Sequence, residues 1–282
     1  MTEIEPYKNS IVNDLFISTA DRNYVVARWC FFQGVYRDFY WNSLHACEKY
    51  LKASLLLNGR SAVENQDGNF QHDIERLFTE VLEFSDDLFP HTLICPSKLN
   101  RRPWRNELLK DFVSRLNRQG DPNNRYAYFS IHQRKDDLFK LDGLVFLLRR
   151  LTLNLEGVYF DRSGNNDVTN RMMLANNPLY MPRKIESNLP KLSRGESENE
   201  LHNTLHRLNF AFERRPEDLE GSWPGMYSEN SVLYRLAGEA LTNSSIAKNN
   251  EKAASIEWML ENIYFSKDVK KELKEAKQKL AD

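Results

Sequence analysis

The stretch DRNYVVARWCFFQGVYRDFYWNSLHACEKYLKASLLLNG, residues 21–59, carries the clearest signal for the fold of this chain. Apolar residues recur in it every three or four positions, which places them on one face of a helix. In its second half the apolar positions are Tyr36, Tyr40, Leu44, Cys47, Leu51 and Leu55. Gly34 separates this helix from an earlier one over roughly residues 13–33, and Asn58-Gly59 ends it. Two long helices joined by so short a connection are predicted to pack antiparallel.

Composition extends the helical prediction to the whole chain. Glycine (11 residues) and proline (10 residues) are scarce among 282 residues, so few positions interrupt helices. Hydrophobic residues make up 41% and aromatic residues 12%, which excludes a disordered chain. A mean hydropathy of -0.64 excludes a membrane protein. We therefore expect a soluble, globular, all-α protein.

Charge and cysteine usage limit the partners and the compartment. The 39 basic and 40 acidic residues nearly cancel, which excludes wholesale electrostatic binding to DNA or to an anionic membrane. The polar N-terminus MTEIEPYKNS lacks the pattern of a signal peptide, and no apolar run reaches the ~18 residues that span a membrane. Three cysteines without paired spacing predict reduced thiols. These features predict a cytoplasmic protein with no membrane partner.

Three more helices are predicted before residue 158. One starts at Asp73, whose carboxylate can cap the first turn, and another covers about residues 103–119. Leucines recurring at helical spacing from Leu138 predict a third, which Gly157 closes. Five helices in about 150 residues make a bundle.

The rest of the chain divides into two further segments. Asparagine and proline dominate residues 158–196, which predicts a linker or long loop after a bundle over residues 1–157. Helical patterns return over residues 197–282, giving a helical C-terminal region. Its last part interleaves lysine and glutamate and predicts an exposed helix with Leu273 and Leu280 on a thin apolar edge.

The pattern A-x-E-K-x-x-K-A at residues 46–53 is the most specific motif in the chain. The other matching positions are Tyr24, Ala27, Arg28, His72, Asp73, Arg125 and Tyr126. With these residues, the chain resembles the HEPN family over about residues 14–155. HEPN proteins are small helical bundles linked with nucleotide binding, RNA cleavage, toxin–antitoxin pairs and phage defence. The resemblance implies a HEPN-like antiparallel bundle, a homodimer, and an antitoxin or a nucleotidyltransferase as a partner.

Ribonucleases of this family share an Arg-x4-6-His motif, and the chain offers Arg125 and His132 at this spacing. The resemblance implies a metal-independent endoribonuclease with these two residues as its catalytic groups. Histidine titrates near neutrality and can move the 2′-hydroxyl or leaving-group proton of RNA. A guanidinium can stabilise the charge that develops on phosphorus.

The backbone between Arg125 and His132 decides whether the two side chains can act together. A helix would turn roughly 700° over seven residues and leave both side chains on one face, about 10.5 Å apart along the axis. An extended chain would send them to opposite faces. The turn sequence Pro122-Asn123-Asn124 and the alternation that follows favour the extended or irregular form.

Two groups of basic residues are candidates for binding RNA or a nucleotide. Lys49 and Lys52 lie three residues apart and share a rim beside the apolar stripe; Glu48 can pair with Lys52. Residues 98–118 hold seven basic and two acidic residues. With Arg101, Arg102, Arg105 and Tyr126, this patch could hold an RNA backbone and stack a base. The alternative for both groups is a purely structural role, as a solvated helix face that binds no ligand.

A metal site and a cofactor are not expected. His202 and His206 have the spacing of a metal half-site, but Asn203 stands where a zinc protease motif has glutamate. Glycine-rich phosphate loops are absent from the sequence. Two functions remain: a HEPN protein that acts on or binds RNA or a nucleotide, with the endoribonuclease as its catalytic form, and a non-catalytic HEPN module that dimerises and engages a nucleotide or a protein.

Overall fold

The computed structural model describes residues 5–65, 68–99, 103–127, 130–158, 168–189, 200–212, 227–229, 250, 252–254, 256–257, 259–260 and 266–281. Most of these residues are helical, which confirms the all-α prediction at that level. Contacts divide the chain into two compact units. The first unit is Met1–Gly120 with Arg134–Gly225, and the second is Asp121–Gln133 with Met226–Asp282.

Two long helices form the centre of the first unit, as predicted. Helix α1 (Glu5–Val12) runs through a π-helical segment (Asn13–Ile17) into α2 (Ser18–Phe32). Helix α3 (Tyr36–Leu57) follows and packs along α2. The reversal between them is possible because Gly34 adopts a positive φ of 75°, which a residue with a Cβ rarely takes.

The next helix begins where the sequence predicts and the one after it does not. Helix α4 (Ile74–Ser85) is capped by Asp73, whose carboxylate accepts bonds from the amides of Glu75 (3.0 Å) and Arg76 (3.2 Å). A short antiparallel pair, β1 (Glu64–Asn65) and β2 (Gly68–Asn69), precedes it. Helix α5 is only Leu109–Gln119, so the predicted helix over residues 103–119 is wrong in its first six residues.

Residues 103–108 of that predicted helix make hydrogen bonds to distant parts of the chain instead of helical ones. The amide of Arg105 donates to the Asp136 carboxylate at 2.8 Å, and Leu108 forms a β-bridge with Thr92. The amide of Leu109 donates to the carbonyl of His91 at 2.8 Å. Because these partners replace helical hydrogen bonds, the chain stays extended until Leu108.

Helix α6 (Asp137–Arg150) carries the strong leucine period and ends earlier than predicted. The stop is not Gly157: the chain leaves the helix at Leu151, and the Asn58 side chain bonds the carbonyl of Leu153 and the amide of Leu155. These bonds satisfy backbone groups outside the helix and fix the turn.

Shorter helices complete the first unit. They are α7 (Asn170–Asn176), a 3-10 turn (Ile185–Asn188) and α8 (Glu200–His206). Two buried ion pairs tie these later segments to the central helices. Asp21 binds Arg149 and also accepts a bond from the Asn188 amide group at 2.7 Å. Asp142 binds Arg28, whose Nε donates to the carbonyl of Thr204 at 3.0 Å.

The second unit has its own small sheet and core. A 3-10 turn (Pro122–Tyr126) leads to β3 (Ile131–Gln133), which pairs antiparallel with β4 (Tyr227–Glu229). Helix α9 (Lys267–Ala281) is the predicted lysine-rich helix. Its apolar edge is buried in a cluster made of Ile256, Met259, Val269, Leu273 and Leu280. Among the helices of the described residues, none is long and apolar enough to cross a membrane.

Candidate functional site

A group of titratable side chains, largely buried except for His72, surrounds Glu48 in the first unit. We call it the Glu48 cluster: His45, Glu48, Lys49 and Lys52 on α3, and His72 in the loop before α4. The Oε2 atom of Glu48 lies 3.2 Å from Nδ1 of His45 and 3.1 Å from Nδ1 of His72. The Lys52 ammonium donates to Oε1 of Glu48 at 2.7 Å. One carboxylate therefore gathers two imidazoles and an ammonium.

Helix α3 and the loop before α4 hold the cluster in place. Residues 45, 48, 49 and 52 share one side of α3 because they are three or four positions apart. Lys52 also donates to the carbonyl of Gln71 at 3.0 Å, and Gln71 has a positive φ of 49°. Asp73, next to His72, is fixed by the α4 cap and by a bond from the Asn117 side chain at 3.1 Å. The His72 backbone is thus held from both sides.

The Glu48 carboxylate is ionised at neutral pH. Burial alone would raise its pKa, but hydrogen bonds from His45 and Lys52 outweigh burial and lower the pKa to about 2. Burial lowers the pKa of the Lys49 ammonium, and the nearby Glu48 charge acts in the opposite direction. Lys49 donates to Oδ1 of Asn23 at 2.6 Å, so this ammonium lies against α2.

The two histidines differ in access to solvent. The side chain of His72 is 53% exposed and that of His45 is 16% exposed, while Glu48 beneath them is 7% exposed. The two rings meet edge to face at 5.6 Å, and Trp41 packs edge to face against His45 at 4.2 Å. Nδ1 of His72 faces Glu48, and the half-exposed ring carries Nε2 as its second nitrogen.

The predicted catalytic pair lies in the second unit. Arg125 is in the 3-10 turn that ends at Tyr126, and its side chain is outside the described part of the chain. Ala127 then takes a left-handed conformation with φ of 59°, and His132 is exposed on β3, opposite Ser228 of β4. No continuous helix therefore joins Arg125 to His132, and the shared helix face considered above does not form. Tyr126 is 63% exposed.

The basic patch over residues 98–118 is weaker than its composition indicates. Arg105 is exposed, but Arg101 and Arg102 lie outside the described residues. Arg115 is buried, with its guanidinium bound to Glu107 and to Asp137. Trp104 packs against the cluster of Leu99, Phe139 and Leu208, which leaves its ring poorly placed to stack a base.

Of the predicted site residues, the structure brings together Lys49 and Lys52, and it adds three neighbours to them. Glu48 and His72 belong to the HEPN-like pattern, and Glu48 was also predicted as the partner of Lys52. His45 was missed. The signal for it was the His45-x-x-Glu48 spacing, which puts the imidazole one turn from the carboxylate.

His206 on α8, one of the two histidines with the spacing of a metal half-site, has a carboxylate as its neighbour. Nε2 of His206 lies 3.0 Å from Oε1 of Glu186, so this histidine contacts the 3-10 turn (Ile185–Asn188). The cluster of His45, Glu48 and His72 is the group of metal-ligating side chains found among the described residues.

Comparison with known proteins identifies no relative: the chain matches no protein-family model, no curated protein and no solved structure.

Proposed function

We propose that the protein is a non-catalytic RNA-binding module and that the Glu48 cluster is its phosphate-binding surface. The observation that carries this proposal is the group of basic side chains around Glu48: Lys52, His45 and His72 contact its carboxylate, and Lys49 is next to Glu48 on α3. An ammonium has three N–H donors. Among the described residues Lys49 uses one of them, on Asn23, so donors remain for a phosphate oxygen.

Charge favours an anionic ligand at this surface. Lys49 and Lys52 carry two positive charges, against the one negative charge of the Glu48 carboxylate. The resemblance to HEPN proteins rests partly on the same residues, namely Glu48, Lys49, Lys52 and His72, and it supports RNA or a nucleotide as the ligand. Phosphate contacts of this kind give affinity without reading sequence.

Fluorescence anisotropy with a labelled single-stranded RNA of mixed sequence tests the proposal. We expect the double variant Lys49→Gln with Lys52→Gln to bind at least tenfold more weakly at low salt. Its plot of log affinity against log salt should be less steep by about 1.4, because each lost phosphate contact on a single strand removes about 0.7. ATP and GTP as competitors distinguish a nucleotide site from an RNA site.

The matched control is Lys184→Gln with Lys274→Gln, which removes the same charge from two exposed positions outside both groups of candidate binding residues. Its affinity and salt dependence should stay close to those of the unmodified protein. Equal losses in both double variants, or no loss in either, would refute the role of the Glu48 cluster.

The endoribonuclease is the second candidate, and the exposed imidazole of His132 favours it. Arg125 would bind the phosphate and His132 would act as acid or base, in a homodimer as the family resemblance implies. We expect His132→Ala to abolish RNA cleavage while leaving the melting temperature unchanged, since the ring is exposed. Unaltered cleavage would remove His132 from the mechanism.

A further inference from the structure

We propose that His45, Glu48 and His72 bind a divalent transition-metal ion of the zinc type. The proposal goes beyond RNA binding, because it concerns these three side chains and a metal ion alone. Each residue offers one ligand atom, and the three atoms lie within 4.8 Å of one another.

The spacing of the ligand atoms fits such an ion. The Oε2 atom of Glu48 is 3.2 Å from Nδ1 of His45 and 3.1 Å from Nδ1 of His72. In a tetrahedral zinc site with bonds of about 2.0–2.1 Å, neighbouring ligand atoms lie about 3.3 Å apart. Two edges of the tetrahedron are thus nearly at their final length. His72 is half exposed and lies in a loop, so it can complete the third.

The donor set selects the class of ion. Two imidazole nitrogens with one carboxylate oxygen suit zinc and its first-row neighbours. Magnesium and calcium require mostly oxygen ligands and would not be held by this set. Either imidazole can present Nδ1 to the metal by carrying its proton on Nε2, so a neutral ring binds without losing a proton.

The groups around the three ligands would support a bound ion. Lys52 donates to Oε1 of Glu48 and leaves Oε2 facing both histidines. Trp41 restricts the ring of His45, and the bond from Lys52 to the Gln71 carbonyl anchors the loop that carries His72. Such outer contacts fix the orientation of metal ligands and tune their affinity.

The exposure of His72 indicates an open site. Three protein ligands leave a fourth tetrahedral position, which water or an oxygen of a ligand can occupy. Closed structural zinc sites have four protein ligands. The expected behaviour is therefore reversible binding with an accessible coordination position, in a protein that stays folded when the metal is removed.

Isothermal titration calorimetry of the chelator-treated 282-residue chain with Zn²⁺ tests the proposal. We expect one equivalent to bind and His72→Ala to weaken binding at least tenfold. The matched control is His91→Ala, an exposed histidine outside the cluster, which should bind as the unmodified protein does. Because His72 is half exposed, its removal leaves the core intact, and Co²⁺ absorption gives a second readout of a tetrahedral nitrogen and oxygen site.

The result separates this proposal from RNA binding. Lys49→Gln should weaken RNA binding without weakening Zn²⁺ binding, because Lys49 is not among the three ligand residues and its loss removes a positive charge near Glu48. Zn²⁺ binding as tight in His72→Ala as in the unmodified protein would overturn the metal site. So would an absence of Zn²⁺ binding, equal loss in the His91→Ala control, or Mg²⁺ binding of the same strength.

Discussion

Helices α2 and α3 carry two kinds of charged group that differ in their access to water. Asp21 and Arg149 are almost fully buried, and every oxygen of Asp21 is bonded: Tyr50 donates to Oδ1 at 2.5 Å, and Arg149 and Asn188 donate to the carboxylate. The Glu48 cluster is also built on a carboxylate, but His72 above it is 53% exposed.

The contrast indicates which charges stabilise the fold and which are available to a ligand. A buried ion pair that satisfies all its partners has no donor left for a ligand, and it destabilises the protein when broken. A partly solvated cluster contributes little to stability, and its groups can change partners. The carboxylate of Asp21 on α2 therefore stabilises the fold, whereas that of Glu48 on α3 belongs to a group that is available to a ligand.

The largest effect is expected for Asp21→Ala. The substitution leaves the guanidinium of Arg149 buried without its counterion, so we expect the free energy of unfolding to fall by about 3–5 kcal/mol. Urea denaturation followed by circular dichroism measures it. Asp87→Ala is the control, because its pair with Arg171 is exposed and is worth about 0–1 kcal/mol. Equal losses in the two variants would contradict the claim that the buried pair stabilises the fold more than the exposed pair.

A smaller loss is expected for Gly120→Ala, which tests how closely the buried side is packed. A Cβ at this position would lie 2.6 Å from Cβ of Leu44 and 2.7 Å from the carbonyl oxygen of Tyr40. We expect the free energy of unfolding to fall by about 1–3 kcal/mol, because helix backbone must move. Gly143→Ala, whose Cβ would meet only the end of the Leu93 side chain at 3.3 Å, should lose less. A reversed order would show that the α3–α5 contact is loose.

The variant Glu107→Gln tests how the stability of the protein depends on pH. Burial alone would raise the pKa of Glu107, but bonds from Arg115 and Lys140 outweigh it and lower the pKa to about 2. The folded pKa is below the unfolded one, so this stabilisation is present above about pH 4.5 and is lost as pH falls toward 2. Between pH 5 and 2, the unmodified protein should lose about 1 kcal/mol more than Glu107→Gln. Parallel stability profiles would contradict this.

The smallest effect on stability is expected in the Glu48 cluster itself. Lys49→Gln removes one partly solvated ammonium, so the free energy of unfolding should change by no more than about 1 kcal/mol. RNA affinity should nevertheless fall several-fold. Thermal denaturation and anisotropy on one preparation measure both. A large stability loss would place Lys49 with the buried pairs.

Local patterns predicted much of the fold. Helix α3 was predicted from its apolar period and helix α4 from the Asp73 cap. Both signals are formed by residues that are close together in the sequence. The start of α5 was missed because Arg105 is held by Asp136, 31 residues away, and no local pattern carries that information. The end of α6 was missed for the same reason, since Asn58 fixes the turn after it across 95 residues.

The candidate site was predictable only along α3. Glu48 and Lys52 are four residues apart, so their pair follows from helix geometry. The approach of His72 to Glu48 joins residues 24 positions apart and depends on how the loop folds back. The buried pairs are still more distant in sequence, and charges that compositional reasoning assigns to the surface, such as Arg115, are in fact internal.

The pair between Asp21 and Arg149 has a consequence during protein synthesis. Its partners are 128 residues apart, so at about 5–20 residues per second the ribosome needs roughly 6–25 s to supply the guanidinium after the carboxylate. During that interval the nascent α2 and α3 cannot bury their facing sides without enclosing an unpaired charge. The Asp21 carboxylate of the emerging chain therefore stays in contact with water until α6 has been made.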